Sequence, residues 1–368
     1  MRIPSFTLER LLAREGPELL EAIRGVMERG RFLLGPETEA FERELGETFT
    51  AEAVAVGNGT DALIAALLAC GVEPGSEVIV PAMTFSATAI APLEIGATPV
   101  VVDVRPHDLL LDLDAAMAAL TPLTSAVIPV HLYGQVQDLR PVLDVCRERG
   151  IAVIEDAAQS VGAEAHGGRV QGDAAATSFY PTKSLGAWGD AGAVITPRPE
   201  VAEFIRRWRH YGERDRYRSD TRGRNSRIDE VQSAILRRRL PALPGDLKER
   251  RLLANAYEEA LPAEARVVGA PRGEPADALH LFTVRVEARD RVRAELDAAG
   301  IGTGVHYPTP THHHPAIPVR LPVEAPVAEA AARELLSLPL FPGMRMDEVM
   351  EVCARLGGEP VAGDRSLR

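Results

Sequence analysis

Lysine is nearly absent from this chain. Of its 41 lysine and arginine residues only two are lysines, Lys183 and Lys248, and the other 39 are arginines. A guanidinium group stays protonated and cannot attack a carbonyl, whereas a lysine shielded from water can lose its proton and form a Schiff base. A lysine that lies among other functional residues is therefore a candidate for amine chemistry. A lysine without such neighbours is better explained as a residue that caps a turn.

The chain also has few cysteines and no long apolar run. Its three cysteines, Cys70, Cys146 and Cys353, are scattered and odd in number, which disfavours a disulfide framework and suits a reducing compartment. No apolar segment precedes a signal cleavage site, and none is long enough to cross a bilayer. The net charge of −12 disfavours nucleic acid as a partner. We therefore expect a cytoplasmic protein without membrane or nucleic-acid partners.

The pattern of apolar residues predicts an α/β fold. Strand-like and helical runs alternate from about residue 53 to residue 196, which is typical of a parallel sheet wrapped by helices. Two strand-like runs, 174–180 and 191–196, are separated by a short glycine-rich stretch, so we expect one of them to run antiparallel.

A second domain is expected after a proline- and glycine-containing cluster at 241–245, which has the composition of a hinge. Beyond it, residues 279–286 alternate as a strand and residues 291–299 form a helical pattern closed by Gly300. With 368 residues, 46% of them hydrophobic, the chain can fill two cores. We predict a large domain over residues 1–240 and a smaller C-terminal α+β domain over residues 241–368.

Lys183 follows a strand-like run that breaks at Pro181, and a pair of carboxylates lies 27 residues upstream. The apolar run 151–154 predicts a buried parallel strand, and Glu155 and Asp156 come at its end, the sheet edge where ligands bind. A carboxylate facing a Schiff-base lysine suggests pyridoxal phosphate (PLP), because an aspartate keeps the pyridine nitrogen protonated. Asp156 is preferred because strand alternation sends the two carboxylates to opposite sides. An alternative is that Asp156 caps a helix.

Residues 53–68 predict a strand, a glycine-containing turn and a buried helix. The N-terminus of such a helix suits a phosphate group, although any tight strand-to-helix turn has a similar sequence. The pattern is neither a Walker motif nor G-x-G-x-x-G. Phe85, after the strand-like run 77–81, could stack on a planar ring, but a lone phenylalanine is more often part of a core.

Together these motifs resemble the DegT-type aminotransferases of fold type I, which use PLP and act on nucleotide-linked keto sugars. The resemblance extends over almost the whole chain and rests on eight segments: 35–42, 57–63, 81–85, 130–135, 155–159, 178–183, 223–227 and 306–308. It implies a large domain with a mostly parallel seven-stranded sheet, a smaller C-terminal domain, and a homodimer with shared active sites.

The resemblance also implies a role for individual residues. Lys183 would hold PLP covalently and Asp156 would pair with its ring nitrogen, while pyridoxamine phosphate would carry the amine between half-reactions. The other cofactor contacts would come from Gly59, Thr60, Phe85, Ala158, Gln159, Ser178 and, from the neighbouring subunit, Asn225. The substrate contacts would come from Tyr180, Arg227, His306 and Tyr307.

The reaction implied is transfer of an amino group, with L-glutamate as the expected donor, to a nucleotide-diphosphate-linked 3-keto-6-deoxy sugar. A 4-keto sugar, a cyclitol ketone or an aminobenzoate-type substrate are the alternatives. A PLP-dependent sugar dehydratase is disfavoured, because such enzymes have histidine where this chain has Lys183. No metal is expected: three successive histidines, 312–314, cannot all face one ion, and the sequence near them has no cluster of cysteines or carboxylates.

Overall fold

The computed structural model describes residues 2–269, 277–320 and 323–357. Parts of the predicted C-terminal domain, residues 270–276, 321–322 and 358–368, lie outside the described residues. The helices are α1 Glu9–Arg29, α2 Pro36–Phe49, α3 Gly59–Ala69, α4 Ala87–Glu94, α5 Leu113–Ala118, α6 Arg140–Glu148, α7 Pro199–Trp208, α8 Glu230–Arg239, α9 Leu243–Ala260, α10 Arg289–Ala298, α11 Pro326–Glu334 and α12 Met346–Leu356.

The strands are β1 Glu52–Val56, β2 Glu77–Pro81, β3 Thr98–Val102, β4 Thr124–Val127, β5 Ala152–Asp156, β6 Ala174–Ser178, β7 Gly192–Thr196, β8 Glu213–Asp215, β9 Arg218–Ser219, β10 Arg266–Val267, β11 Phe282–Arg285 and β12 Leu335–Leu338. Seven of them form one sheet in the order β1-β7-β6-β5-β4-β2-β3. The pairs from β6 to β3 are parallel, and β7 runs antiparallel to β6 and β1. The predicted α/β fold and its antiparallel strand are confirmed.

The sheet is covered on both faces, as its composition requires. Parallel strands buried on both sides are rich in β-branched residues, and β2 and β5 are buried along their whole length. Helix α3 is apolar around most of its circumference and packs against β6 and β7 in the main core. The carboxyl ends of the parallel strands therefore meet at one edge, next to the N-terminus of α3.

A second core forms after residue 243. Strands β10, β11 and β12 make a three-stranded antiparallel sheet that packs with α9, α10 and α12. Ile3 also lies in this core, and it forms a parallel bridge with Ile301. We keep 240/241 as our proposed domain boundary, supported by this second core. None of the helices in the described ranges has both the length and the apolar character needed to span a membrane.

The cluster at 241–245, for which we predicted a hinge, has helical structure. Pro241 lies in a 3₁₀ turn, Leu240–Ala242, and Pro244 lies in the first turn of α9. Proline is tolerated in a first helical turn because its missing N–H would have no partner there. The cluster therefore begins a long helix and does not interrupt the chain.

A single buried carboxylate joins α8 to the start of α2. Glu230 is fully buried and accepts hydrogen bonds from the backbone N–H groups of Gly35, Glu37 and Thr38, at 2.8, 3.0 and 2.8 Å, and from the Thr38 hydroxyl at 2.6 Å. Burial opposes ionisation, but these hydrogen bonds outweigh it and lower the pKa of the carboxyl. Glu230 thus supplies the acceptors that the N-terminus of α2 lacks locally.

We predict that Glu230→Ala lowers the free energy of unfolding by about 3 kcal/mol or more, because each buried donor left unpaired costs about 1–3 kcal/mol. Glu39→Ala, on α2 and with a side chain 70% exposed, should change stability by less than about 0.5 kcal/mol. Urea unfolding followed by circular dichroism measures both. The Glu230 contribution is present above the pKa of an unfolded glutamate and disappears as the pH falls through the lowered native value. Equal losses in the two variants would contradict this account.

Candidate active site

A cavity of 530 Å³ lies at the carboxyl edge of the sheet, between the end of the sheet and the polypeptide around residues 280 and 306. Most of the residues predicted from the sequence line it. They are Gly59, Thr60, Phe85, Asp156, Ala158, Gln159, Ser178, Tyr180, Lys183, His306 and Tyr307. These residues come from five separate segments of the chain, which meet where the parallel strands end.

Asp156 is the last residue of β5 and is 6% exposed. Its Oδ2 accepts a hydrogen bond from the Thr88 hydroxyl at 2.8 Å, and its Oδ1 accepts one from the backbone N–H of Ala158 at 3.2 Å. Thr88 is itself 2.7 Å from the Thr84 hydroxyl. Burial raises the pKa of Asp156, while the two hydrogen bonds and the nearby charge of Lys183 oppose the rise. The carboxylate is thus fixed in one orientation.

Lys183 lies in a tight turn after β6, where its backbone N–H donates to the carbonyl of Tyr180 at 2.8 Å. Burial lowers the pKa of the amine to about 8, and the carboxylate of Asp156 opposes this shift. Near neutral pH a minor fraction of the amine is therefore unprotonated, far more than for a free lysine, and this is the form that attacks a carbonyl.

Glu155 lies on the other side of β5. One of its carboxylate oxygens is 2.7 Å from Nε2 of His131, and the other accepts hydrogen bonds from the backbone N–H groups of Gln171 and Gly172 at 2.6 and 2.9 Å. The backbone N–H of Gln137 donates to Nδ1 of His131, so Nε2 carries the proton that Glu155 accepts. Strand alternation leaves Asp156 as the carboxylate that faces the cavity.

The N-terminus of α3 has the geometry of an anion site. Asn58 caps the helix by accepting a hydrogen bond from the backbone N–H of Asp61 at 2.8 Å. Gly59 and Thr60 lie between the capping residue Asn58 and Asp61, and both line the cavity with Ser178. A Cβ on Gly59 would lie 2.7 Å from Cβ of Ser178, so only glycine permits this approach. The donors present therefore fit the phosphate of PLP.

The remaining cavity wall offers a ring surface and an amide. Phe85 is 56% exposed, and its ring centroid is 5.9 Å from that of Tyr307. The Gln159 amide accepts a hydrogen bond from the backbone N–H of Tyr133 at 2.6 Å and donates one to the Tyr307 hydroxyl at 3.0 Å. Burial raises the pKa of Tyr307, so its hydroxyl stays protonated. An aromatic face, an amide and a carboxylate are the groups that a planar, polar ring requires.

Sequence reasoning missed three residues here. Thr84 lies just before α4 and Thr88 in its first turn, and their spacing of four positions was the available signal. His280 lines the cavity inside an apolar run, and no described residue accepts from or donates to its Nδ1. Burial and the charge of Lys183 keep the pKa of His280 well below its usual value, and they lower the pKa of His306 to about 4. Both imidazoles are therefore neutral.

Two predicted residues do not line this cavity. Asn225 is exposed, and its side-chain oxygen accepts a hydrogen bond from Nε of Arg227 at 3.0 Å, while the guanidinium of Arg227 lies over the ring of Tyr211. The segment is fixed to α3 through Ser226, whose hydroxyl donates to Asp61 at 2.7 Å. Asn225 and Arg227 are thus held at the surface.

The sheet order and this cavity define a PLP-dependent transferase of fold type I. A model of the DegT/DnrJ/EryC1/StrS aminotransferase family matches residues 13–357. The chain belongs to this family, and it is a PLP-dependent aminotransferase.

Similar proteins cover nearly the whole chain. The dTDP-3-amino-3,4,6-trideoxy-alpha-D-glucose transaminase of Streptomyces venezuelae is 43% identical over 95% of this chain and 94% of its own length. The UDP-N-acetyl-3-dehydro-alpha-D-glucosamine 3-aminotransferase of Acidithiobacillus ferrooxidans is 39% identical, over 95% of this chain and 96% of its own. The crystal structure of S. venezuelae DesV in complex with a ketimine intermediate superposes with a TM-score of 0.92, at 41% identity, and covers 96% of this chain and 97% of that chain.

The lowered pKa of Lys183 leads to a prediction for the protein freed of PLP. In a Lys248→Arg variant Lys183 is the only lysine, so its amine can be followed by its reaction with trinitrobenzenesulfonate. The Lys183→Ala, Lys248→Arg double variant gives the signal of the α-amino group, which is subtracted. Because only the unprotonated amine reacts, the rate should rise with pH to a half-maximum near 8. A half-maximum near 10.4, the value of a free lysine, would contradict the burial argument.

A second prediction concerns Thr88. Thr88→Val keeps the shape of the side chain but removes the hydroxyl that donates to Asp156, so the pKa of the carboxyl should rise further and its hold on PLP should weaken roughly ten-fold. Thr88→Ser restores the hydroxyl and should restore affinity. Equilibrium dialysis gives the affinity, and the pH titration of the bound cofactor's absorbance reports on the ring nitrogen. An unchanged titration in Thr88→Val would show that Asp156 needs no such support.

Proposed function

We propose that the chain transfers an amino group from L-glutamate to the C-3 carbonyl of a nucleotide-diphosphate-linked 3-keto-6-deoxy sugar. The observation that carries the proposal is the joint exposure of Lys183, Asp156 and the N-terminus of α3 to one cavity. The two relatives described above support C-3, because both are named for amino sugars or keto sugars substituted there.

PLP, when bound, supplies an electron sink that makes the Cα–H bond of an amino-acid donor acidic. Lys183 would hold the cofactor through its amine, and the same amine, when free, would be the base that moves the proton at Cα of the donor. A positioned base of this kind contributes roughly 10²–10⁴-fold to the rate. Asp156 keeps the ring nitrogen protonated, because a carboxylate held by two hydrogen bonds remains a good partner for a cation.

The other cofactor contacts follow from their place in the cavity. Gly59, Thr60 and Ser178 would bind the phosphate through two backbone N–H groups and a hydroxyl. Phe85 would stack on one face of the ring, with Ala158 against the other. Gln159 has a second N–H on its side-chain amide beyond the one that Tyr307 accepts, and this would donate to the ring hydroxyl.

The substrate would contact Tyr180, His306 and Tyr307. Tyr180 is 51% exposed and lines the cavity beside Lys183, so it can meet a ligand that enters from solvent. The His306 imidazole is held by the Ser337 hydroxyl, 2.9 Å from its Nδ1. Because it is neutral at ordinary pH, we assign His306 to a sugar hydroxyl and not to the diphosphate.

A panel of substrates tests the proposed reaction. The purified enzyme, supplied with glutamate, should form 2-oxoglutarate with thymidine- or uridine-linked 3-keto sugars at least ten-fold faster than with the matched 4-keto sugars. Lys183→Ala is the control for background turnover. Preference for a 4-keto sugar, a cyclitol ketone or an aminobenzoate-type substrate would overturn the substrate while leaving the aminotransferase class intact. Loss of the sugar hydroxyl without consumption of glutamate would indicate a dehydratase.

We further propose a homodimer in which Asn225 binds the cofactor phosphate of the partner and Arg227 reaches the substrate diphosphate. Both residues are held at the surface of a polar segment, outside the cavity of their own subunit. A charged phosphate needs such donors, and arginine suits a diphosphate in particular.

The three free cysteines are consistent with the cytoplasm as the proposed compartment.

Subunit mixing tests this arrangement. Asn225→Ala removes one hydrogen bond to a charged group and should weaken PLP retention by about ten-fold or more. Lys183→Ala should be inactive. Heterodimers of the two variants should regain activity, because one site of each pair then has both native residues. Each variant alone is the control. Mixed dimers that form and stay inactive would show that Asn225 serves its own subunit or has no cofactor role.

A further inference from the structure

Two of the three successive histidines converge with a carboxylate from a distant element. His312 and His313 lie in a 3₁₀ turn, Thr311–His313, and Glu329 lies on α11. Nε2 of His312 is 3.1 Å from Oε1 of Glu329, and Nε2 of His313 is 3.7 Å from the same oxygen. One ligand atom from each of the three side chains lies within 4.8 Å of the other two. His314 is outside this group.

These separations match a tetrahedral metal site. An ion bound to nitrogen and oxygen at about 2.0–2.1 Å has neighbouring ligand atoms about 3.3 Å apart. The distances from Oε1 of Glu329 to Nε2 of His312 and to Nε2 of His313 lie on either side of that value. Because all three ligand atoms already lie within 4.8 Å of one another, the turn and the helix bring them within reach of one ion.

The charge and the exposure of the cluster also suit a cation. Glu329 forms no ion pair with an arginine among the described residues, although most buried or half-buried acidic groups in this arginine-rich chain do so. The His312 side chain is 6% exposed, whereas His313 and Glu329 are 52% and 36% exposed. One ligand is thus fixed by packing, and the other two are open to an ion that arrives from solvent.

We propose that His312, His313 and Glu329 form a binding site for a divalent transition metal, for which Zn²⁺ is the fitting probe. Two imidazoles and a carboxylate are donors that this class of ion prefers, and three protein ligands leave a fourth position for water. We expected no metal because three successive histidines cannot all bind one ion. The fold uses two of them and adds a carboxylate 16 residues further along the chain.

The affinity should be modest. No described residue hydrogen-bonds to Nδ1 of His312, so the outer partner that usually orients a metal-bound histidine is missing. Loss of such a partner weakens metal binding about 10–100-fold. We therefore expect micromolar affinity, well below that of a closed structural zinc site.

The ion would join two elements near the cavity. Residue 311, next to His312, is tied to the end of β2: its hydroxyl donates to the carbonyl of Pro81 at 3.0 Å and its backbone N–H donates to that of Ala82. The same segment begins with His306 and Tyr307, which line the active-site cavity. A bound metal would therefore fasten this segment to α11.

Calorimetric titration of the PLP-loaded protein with Zn²⁺ tests the site. The protein must carry no polyhistidine tag and must first be treated with EDTA. We expect one equivalent bound with micromolar affinity, and Co²⁺ in its place should show the intense visible bands of a tetrahedral complex. Glu329→Gln and His313→Ala should each weaken binding more than ten-fold, while His314→Ala, the matched control, should not.

Three outcomes would overturn the proposal. They are the absence of stoichiometric binding, equal binding in Glu329→Gln and the native protein, and loss of binding in His314→Ala. Equal binding in Glu329→Gln would point to the thiols or the cofactor phosphate as the metal ligands. Absorbance of bound PLP in every variant confirms that each one is folded, so a loss of binding can be assigned to the missing ligand.

Discussion

The burial of two opposite charges in one cavity is the constraint on which the rest of this site depends. For both Asp156 and Lys183 the cost of leaving water exceeds their mutual attraction, so the carboxyl and the amine are both pushed toward their neutral forms. A cavity with this property favours a ligand that brings compensating charges of its own. A phosphate at the N-terminus of α3 and a ring nitrogen beside Asp156 would be such charges, and both features line this one cavity.

The antiparallel strand β7 makes this proximity possible. It inserts between β1 and β6, and its first residue, Gly192, approaches the start of α3 so closely that a Cβ would lie 2.8 Å from the backbone nitrogen of Gly59. Ser178 approaches the same glycine from β6. The anion site is therefore built by sheet packing, and its position relative to Asp156 on β5 is fixed by the strand spacing of the sheet.

Local patterns in the sequence predicted much of this arrangement, and interactions between distant residues account for what was missed. The scarcity of lysine identified Lys183, and strand alternation separated Asp156 from Glu155. Thr88 is 68 residues from the carboxylate it supports, and Glu230 is 195 residues from Gly35. No periodicity of 2 or 3.6 residues carries such information. The helical structure of 241–245 was not predicted, because proline in a first helical turn and proline in a loop have the same local sequence.

The same scarcity of lysine has a consequence for handling the protein. Lys248 is exposed on α9, in the second core region, whereas Lys183 is enclosed in the cavity and its amine is occupied when the cofactor is attached. The holoprotein therefore offers one lysine to a reagent in solution, besides its terminal amine. Amine-reactive dyes or resins should therefore attach at one known side chain, Lys248, and at the terminal amine, without any engineered cysteine.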